Sequence, residues 1–158
     1  MKKKIKTIFI LSLSLLLISC GFKKLNQKNG KIIYIQSINV VGEQRVGYSL
    51  KNDILLISNN DSKNKYDVEI KITSRKTNKI KDSTGKVTRY NLSITASLQL
   101  ISFDKKNKIL RTFERNGDYA IAGTHSGTIN NEQFTKKDVT QQLSQDIINF
   151  ITLSMRTE

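Results

Sequence analysis

The stretch RYNLSITASLQL, residues 89–100, alternates polar and apolar side chains from its first residue to its last. Its apolar positions are Tyr90, Leu92, Ile94, Ala96, Leu98 and Leu100. Its polar positions are Arg89, Asn91, Ser93, Thr95, Ser97 and Gln99. Because successive side chains of an extended chain point to opposite faces, this stretch predicts a long strand with one buried face and one wet face.

The segments on either side of this stretch predict its partner strands. Residues 66–73 alternate in the same way, and their apolar positions are Tyr66, Val68, Ile70 and Ile72. Lys108 to Asn116 carries Ile109 and Phe113 on one side and predicts a third antiparallel strand. Asp104 to Asn107 predicts the turn before that strand, and Thr77 to Lys86 is expected to join the first two strands.

The residues before these strands predict one more strand and a helix. Lys31 to Val41 is dense in Ile, Val and Tyr, which favours a strand. We expect Ile32, Tyr34, Ile38 and Val40 on one face of it, and Ile33 and Ile35 on the other. Gln44 to Ser58 changes to helical spacing, with an apolar stripe formed by Val46, Leu50, Ile54 and Ile57.

The residues after the last predicted strand indicate a loop followed by a second helix. Gly117 to Asn131 is Gly-rich and irregular, so we expect a loop there. Thr135, with Asp138 three residues later, resembles a capping box and predicts that a helix starts at this point. The apolar stripe of this helix consists of Val139, Leu143, Ile147, Phe150 and Ile151.

The predicted elements follow the order β-α-β-β-β-α. This order predicts an α+β fold, a four-stranded, mostly antiparallel sheet with two helices packed on one face. The opposite face of the sheet is expected to stay wet. It is rich in Ser, Thr, Asn and Gln, which suits contact with water or with a polar partner.

The N-terminus has the pattern of a secretory signal peptide. Four lysines within the first six residues precede an apolar run from Ile8 to Ile18. Eleven residues at about 1.5 Å each reach only about half of a ~30 Å hydrocarbon core, so a membrane-spanning helix is not expected. We therefore predict that residues 1–19 are a signal peptide and that residues 31–158 form a single domain.

The sequence Leu17-Ile18-Ser19-Cys20 resembles a lipobox, in which a small residue precedes a cysteine that receives lipid. Cys20 is the single cysteine of the chain and follows the apolar run directly, so we predict that it carries the lipid anchor. Residues 20–30 then form a lipidated N-terminus and tether. Residue 21 is Gly and not the Asp common in inner-membrane lipoproteins, which favours the outer membrane, with the domain facing the periplasm.

The chain is strongly basic, with 27 Lys and Arg residues against 13 Asp and Glu and a net charge of +14. Such an excess is compatible with an anionic partner. A general bias of composition explains it equally well, because lysines greatly outnumber arginines. Net charge therefore does not identify a partner.

Patterns typical of enzymes are missing from the sequence. The single histidine, His125, lies in the predicted loop at residues 124–128, with no second His nearby to share a metal. Asp67 with Glu69, and Glu114 with Asp118, are spaced as carboxylate pairs, but the first pair belongs to the wet face of a strand. We expect neither catalysis nor a cofactor nor a metal.

Six basic residues fall within fifteen positions around the connection between the first two antiparallel strands: Arg75, Lys76, Lys79, Lys81, Lys86 and Arg89. A folded hairpin would gather them at one end of the sheet, where Arg and Lys could bind phosphate groups. Ordinary solvated surface is the alternative interpretation. Nucleic acid is not an expected partner, because no aromatic residues alternate with these charges, whereas anionic lipid head groups are available in the periplasm.

Several of these features together resemble the LptE family of outer-membrane lipoproteins. They are the lipobox with Cys20-Gly21-Phe22, the β-α-β-β-β-α order, the segment Thr88 to Ile94, and Asp118-Tyr119 before a loop and an amphipathic C-terminal helix. The last helix departs from the family, since Lys136, Lys137, Thr140 and Gln142 stand where related sequences are often Ala-rich. Only Cys20 can be matched to a family residue individually.

The resemblance implies a plug inside the barrel of LptD that binds lipopolysaccharide and helps to deliver it to the outer leaflet. A polar sheet face suits this role, because the lumen of a large outer-membrane barrel is polar. An auxiliary lipoprotein of an ABC-type lipid transport system is an alternative with the same size and charge. A lipoprotein enzyme is a third, disfavoured by the lack of catalytic groups.

Overall fold

A computed structural model describes residues 33–104 and 106–155 of the chain. The elements are β1 (Tyr34–Gly42), α1 (Gln44–Leu55), β2 (Lys65–Lys81), β3 (Val87–Ser102), β4 (Lys108–Ala120) and α2 (His125–Ser154). The signal peptide, Cys20 and the tether predicted from the sequence lie outside the described residues. Neither helix among the described residues has the length and apolar character needed to cross a membrane.

The four strands form one sheet in the order β1-β2-β3-β4. β1 runs parallel to β2, with α1 as the crossover between them, and the other two neighbouring pairs are antiparallel. The mostly antiparallel sheet and the β-α-β-β-β-α order predicted from the sequence are confirmed. The alternation in β3 is confirmed as well, because Leu98 is buried beside Ile70 while Ser97 is exposed beside Lys71.

The hydrophobic core lies between one face of the sheet and the two helices. The helices contribute Val46, Leu50, Ile54, Val139, Leu143, Ile147 and Ile151, all of them buried. These are the stripes expected from helical spacing, apart from Ile57 and Phe150, which are partly buried at the margin of the core. The first helix is shorter than the predicted Gln44 to Ser58, so Ile57 lies beyond its end at Leu55. Full burial of one such side chain contributes about 1.5 to 3 kcal/mol, so the two stripes fix both helices on the same face.

A bulge in β1 makes the predicted division of its two faces wrong. The pairing of β1 with β2 shifts register between Ile35 and Ser37. Alternation would have placed Ile33 and Ile35 opposite Ile38 and Val40. Because the extra residue at the bulge reverses the alternation, all four face the core, where the first two are buried and the others partly buried.

The connection between β2 and β3 is shorter than the predicted Thr77 to Lys86. β2 continues to Lys81, through an irregularity between Asn78 and Ile80. The turn is closed by a backbone hydrogen bond of 2.9 Å from Asp82 N to Lys86 O. The side chain of Asp82 accepts hydrogen bonds from the backbone N–H groups of Thr84 and Lys86, so the turn organises itself locally.

The predicted loop over Gly117 to Asn131 is also wrong. β4 continues to Ala120, and α2 begins at His125, ten residues before Thr135. The helix starts where it does because the Thr124 side chain accepts a hydrogen bond of 3.1 Å from Gly127 N, as a capping residue does. Gly117 belongs to β4 because α2 packs tightly there: a Cβ at this position would lie 2.8 Å from the Thr135 and Val139 side chains.

The direction of the strands and helices gives the molecule two distinct ends. The β2–β3 turn, the end of β4 and the start of α2 lie at what we call the hairpin end, whereas β1 ends at Gly42 beside Ile72, near the middle of β2. The start of β1, the end of α1, the β3–β4 turn and the end of α2 lie at the opposite end, which we call the proximal end because β1 begins there.

Candidate functional site

The face of the sheet that the helices leave uncovered is a polar surface, and we call it the open face. It carries the polar residues of β3 from Asn91 to Gln99, as predicted from their alternation. Each of these residues lies between residues of β2 and β4, so polar side chains form rows across the strands. One such row is Thr77, Asn91 and Asp118, and another is Lys71, Ser97 and Thr112.

Hydrogen bonds between neighbouring strands order the side chains of the open face. Asn91 Nδ2 donates to Asp118 Oδ1 at 2.8 Å, and Gln99 Nε2 donates to Glu69 Oε2 at 3.2 Å. Ser93 Oγ donates to Glu114 Oε1 at 2.5 Å. The spaced carboxylates of the sequence are therefore hydrogen-bond acceptors that connect strands, and a partner would meet a polar surface whose side chains are already oriented.

The middle of the open face also has an apolar part. Val41 and Leu110 are exposed there, on the first and last strands of the sheet. They border a shallow depression of about 440 Å³ that also includes Glu69, Lys71 and Gln99. The open face therefore combines hydrogen-bonding rows with a small apolar contact area.

The structure places the basic cluster at the hairpin end but divides it between the two sides of the sheet. Arg75 and Arg89 belong to the open face by their position in the alternation, and Lys81 and Lys86 flank the turn. Lys76 points to the opposite side, where it meets α2. Lys76 therefore lies across the sheet from Arg75 and Arg89 and cannot bind one ligand together with them.

Lys79 is the member of the cluster that is neutralised on the open face. It forms a salt bridge with Asp118 of β4, whose other carboxylate oxygen accepts from Asn91. The hydrogen bonds from Asn91 and Lys79 lower the pKa of Asp118, and the charge of Arg89 adds to this effect. Asp82 is the one acidic residue in positions 75–89 of the sequence, and the sequence does not link Asp118 to this cluster because it is distant along the chain.

The other basic residues of the hairpin end have no such partner. Within the described parts of the chain, Arg75, Lys81, Lys86 and Arg89 form no salt bridge within 4.0 Å. Asp82 is near Lys86, but its side-chain oxygen is engaged by the turn, and these hydrogen bonds, with that from Thr84 foremost, lower its pKa. Two guanidinium and two ammonium groups are therefore available to an external anion.

Lys76 has a structural environment that the sequence did not reveal. Its Nζ lies 2.8 Å from Glu132 Oε2 of α2 and 4.4 Å from the centre of the Tyr90 ring. The hydrogen bond to Glu132 raises the pKa of Lys76. Because residue 132 was expected at the edge of a loop, no sequence signal linked it to the sheet.

His125 is the first residue of α2, not a loop residue, and it is exposed. Over residues 33–104 and 106–155, no three His, Cys, Asp or Glu side chains are grouped so that they could hold a metal ion. This arrangement can bind a ligand, because it offers cations at the hairpin end and hydrogen-bonding groups on the open face.

The sequence profile of the family described as LptE, lipopolysaccharide-assembly, matches residues 31–151. This range covers every strand and nearly all of the C-terminal helix. The chain belongs to the LptE family. It is thus a member of a family of lipopolysaccharide-assembly proteins, as the resemblance in its sequence implied. No curated protein matches its sequence directly.

Solved structures of two lipoproteins are similar to this LptE-family domain. The rare lipoprotein B from Shewanella oneidensis is 14% identical, with a TM-score of 0.57 over 77% of this chain and 96% of that one. An uncharacterized lipoprotein B from Nitrosomonas europaea is also 14% identical, with a TM-score of 0.51 over 77% of this chain and 86% of that one. At such low identity these likenesses establish the fold alone.

Proposed function

We propose that this LptE-family protein is an outer-membrane lipoprotein that acts as plug and assembly partner of an LptD-like barrel and binds lipopolysaccharide. The observation that carries the proposal is the family match over residues 31–151. Lipopolysaccharide assembly at the outer membrane requires a protein that binds and positions lipid, and it requires no catalytic group. We therefore infer a non-enzymatic role.

The anchor in this proposal is Cys20. The lipobox Leu17-Ile18-Ser19-Cys20 follows the apolar run of the signal peptide, so cleavage after residue 19 would leave a lipidated cysteine at the N-terminus of a 139-residue chain (158 − 19). Several acyl chains at about 0.8 kcal/mol per buried CH₂ give stable attachment. The tether of residues 20–30 would join this anchor to the domain.

The surface proposed for the barrel is the open face. A barrel lumen is polar, and a plug that fills it needs hydrogen-bonding groups on its surface. The rows of Ser, Thr, Asn and Gln across β2, β3 and β4 meet this need. Val41 and Leu110 would add a small apolar contact near the centre of the interface.

The surface proposed for lipopolysaccharide is the hairpin end. The phosphates of lipopolysaccharide would be bound by the four basic residues that have no salt bridge among the described residues: Arg75, Lys81, Lys86 and Arg89. Arginine can bind two phosphate oxygens at once, and lysine adds a point charge. Lys79 would contribute less because Asp118 already neutralises it.

The test is a lipopolysaccharide-binding measurement on the full-length protein in detergent. The variant combines Arg75→Ser, Lys81→Ser, Lys86→Ser and Arg89→Ser. Because charge-assisted contacts contribute about 1.5 to 3 kcal/mol each, we expect affinity to fall about tenfold or more. The fold should be retained, since exposed charges add little to stability. Wild-type binding should weaken as salt rises.

A matched control removes two arginines and two lysines elsewhere, in the combination Arg45→Ser, Lys51→Ser, Arg111→Ser and Lys137→Ser. Both variants lose the same net charge, so a general attraction between a basic protein and an anionic lipid would lower both affinities equally. Such a result would contradict a specific site at the hairpin end. Co-purification of the full-length protein with its barrel would test the partner separately.

A further inference from the structure

The proximal end exposes large apolar side chains that no function described so far uses. Leu56 is 75% exposed, Leu153 is 62% exposed and Phe103 is 59% exposed. Leu55, beside Leu56, is 40% exposed. They belong to three different parts of the fold: the end of α1, the β3–β4 turn and the end of α2. An apolar surface assembled from several elements at one end of a domain suggests contact with a nonaqueous partner.

Hydrogen bonds fix the segments that carry these side chains. Phe103 N donates to Lys65 O at 2.9 Å, which attaches the β3–β4 turn to the start of β2. Asn59 N donates to Ile33 O at 2.8 Å, which attaches the chain after α1 to the start of β1. Phe103 and the segment that follows Leu56 are therefore held in defined positions beside the start of β1.

Exposed lysines lie in and beside the turns of this end: Lys63, Lys65, Lys106 and Lys108. The Lys65 ammonium lies 5.8 Å from the centre of the Tyr34 ring and 6.0 Å from that of Phe103. Asp61 and Asp104 are the exposed acidic residues of these turns, so the local charge is positive. Lysines with apolar stems beside exposed Leu and Phe are typical of surfaces that lie in the interface of a bilayer.

We propose that the proximal end rests on the phospholipid surface beside the lipid anchor, with Leu56, Phe103 and Leu153 in the interfacial layer. This inference rests on the proposed anchor at Cys20. From Cys20 to Ile33 there are 33 − 20 = 13 residue steps, which span at most about 45 Å when fully extended. β2 alone is 17 residues long, or about 56 Å at ~3.3 Å each. The tether therefore keeps the start of β1 close to the lipid, whereas the hairpin end can lie farther from it.

The experiment uses the absence of tryptophan from the sequence. Phe103→Trp and Leu56→Trp each place one fluorescent residue at the proximal end. Phe134→Trp is the matched control, because Phe134 is 76% exposed and lies in the hairpin half of α2. Each full-length, lipidated variant is reconstituted into vesicles of phosphatidylethanolamine and phosphatidylglycerol with brominated acyl chains, which quench tryptophan at short range.

We expect about half or more of the emission to be quenched at positions 56 and 103 and little at position 134, because interfacial side chains enter the acyl boundary by ~5–10 Å. Equal quenching at the three positions, or none at 56 and 103, would overturn the proposal. If palmitate still labels Cys20 in that case, the anchor stands and only the surface contact is lost. Protection of positions 56 and 103 from solvent only when the barrel is present would also overturn the proposal. That result would assign the proximal end to the barrel instead.

Discussion

Glu132 Oε2 lies 2.8 Å from Lys76 Nζ and joins α2 to β2 across 56 positions of the chain. The same oxygen accepts a hydrogen bond of 2.6 Å from the Tyr119 hydroxyl group of β4. One carboxylate thus connects a helix with two strands at the hairpin end. The two donors, with Lys76 the stronger influence, lower the pKa of Glu132 below its usual 4.5.

The lowered pKa of Glu132 predicts how stability depends on pH. A carboxyl group whose pKa falls on folding stabilises the protein fully above its unfolded pKa, and this contribution disappears as pH falls through the folded pKa. Glu132→Gln should therefore lower Tm at pH 7, and its difference from wild type should shrink as pH falls below about 4.5. Thermal unfolding of both proteins from neutral pH down to well below that value measures this. A difference that stays constant over the range would contradict it.

The register of β3 predicts opposite outcomes for two adjacent substitutions. Leu98 is 1% exposed in the core, and its truncation to Ala should cost about 2 to 5 kcal/mol. Ser97 is exposed on the open face and has a weak contact of 3.4 Å with Thr112, so Ser97→Ala should stay within about 0.5 kcal/mol of wild type. Urea unfolding gives both values, and similar losses would mean that this register is wrong.

The parts of the fold that sequence predicts well are those in which one local pattern decides the structure. The six apolar residues of β3 repeat without interruption, and the apolar stripe of α1 from Val46 to Ile54 has a single period. Two predictions failed because a nonlocal contact decides the structure. Gly117 indicates a loop until its close packing against Val139 is known, and the bulge at Ile35 depends on pairing with β2.

The candidate site was predictable to the same extent. The cluster from Arg75 to Arg89 is visible in the sequence, because it is local and contains two of the few arginines. The sequence does not show which of these basic residues already have a salt-bridge partner. This depends on Glu132 and Asp118, which approach from α2 and β4. Alternation along a strand places Lys76 and Arg75 on opposite faces of the sheet. This rule could be applied to them only once β2 was known to include both residues.

Two glycines with positive φ predict unequal costs for the same substitution. Gly85 in the β2–β3 turn has φ 83°, and a Cβ there would meet open space, so Gly85→Ala should cost only about 1 kcal/mol of backbone strain. Gly42 at the end of β1 has φ 112°, and a Cβ there would lie 2.0 Å from Ile72 O. Gly42→Ala must therefore displace the β2 backbone and should destabilise the fold several times more. Chemical denaturation compares the two, and equal losses would refute the close approach of Gly42 to β2.

The anchor predicts a clear chemical result for Cys20→Ser. Lipid attachment through a thioether requires the sulfur atom, so the variant should incorporate no palmitate and should remain uncleaved or be released from the membrane. Ser19→Ala is the matched control, because it keeps a small residue before the cysteine and should still be labelled and processed. Metabolic labelling and membrane fractionation of the two variants and wild type measure the outcome. Palmitate entering Cys20→Ser would show that the lipid is attached elsewhere and would remove the anchor from the proposed function.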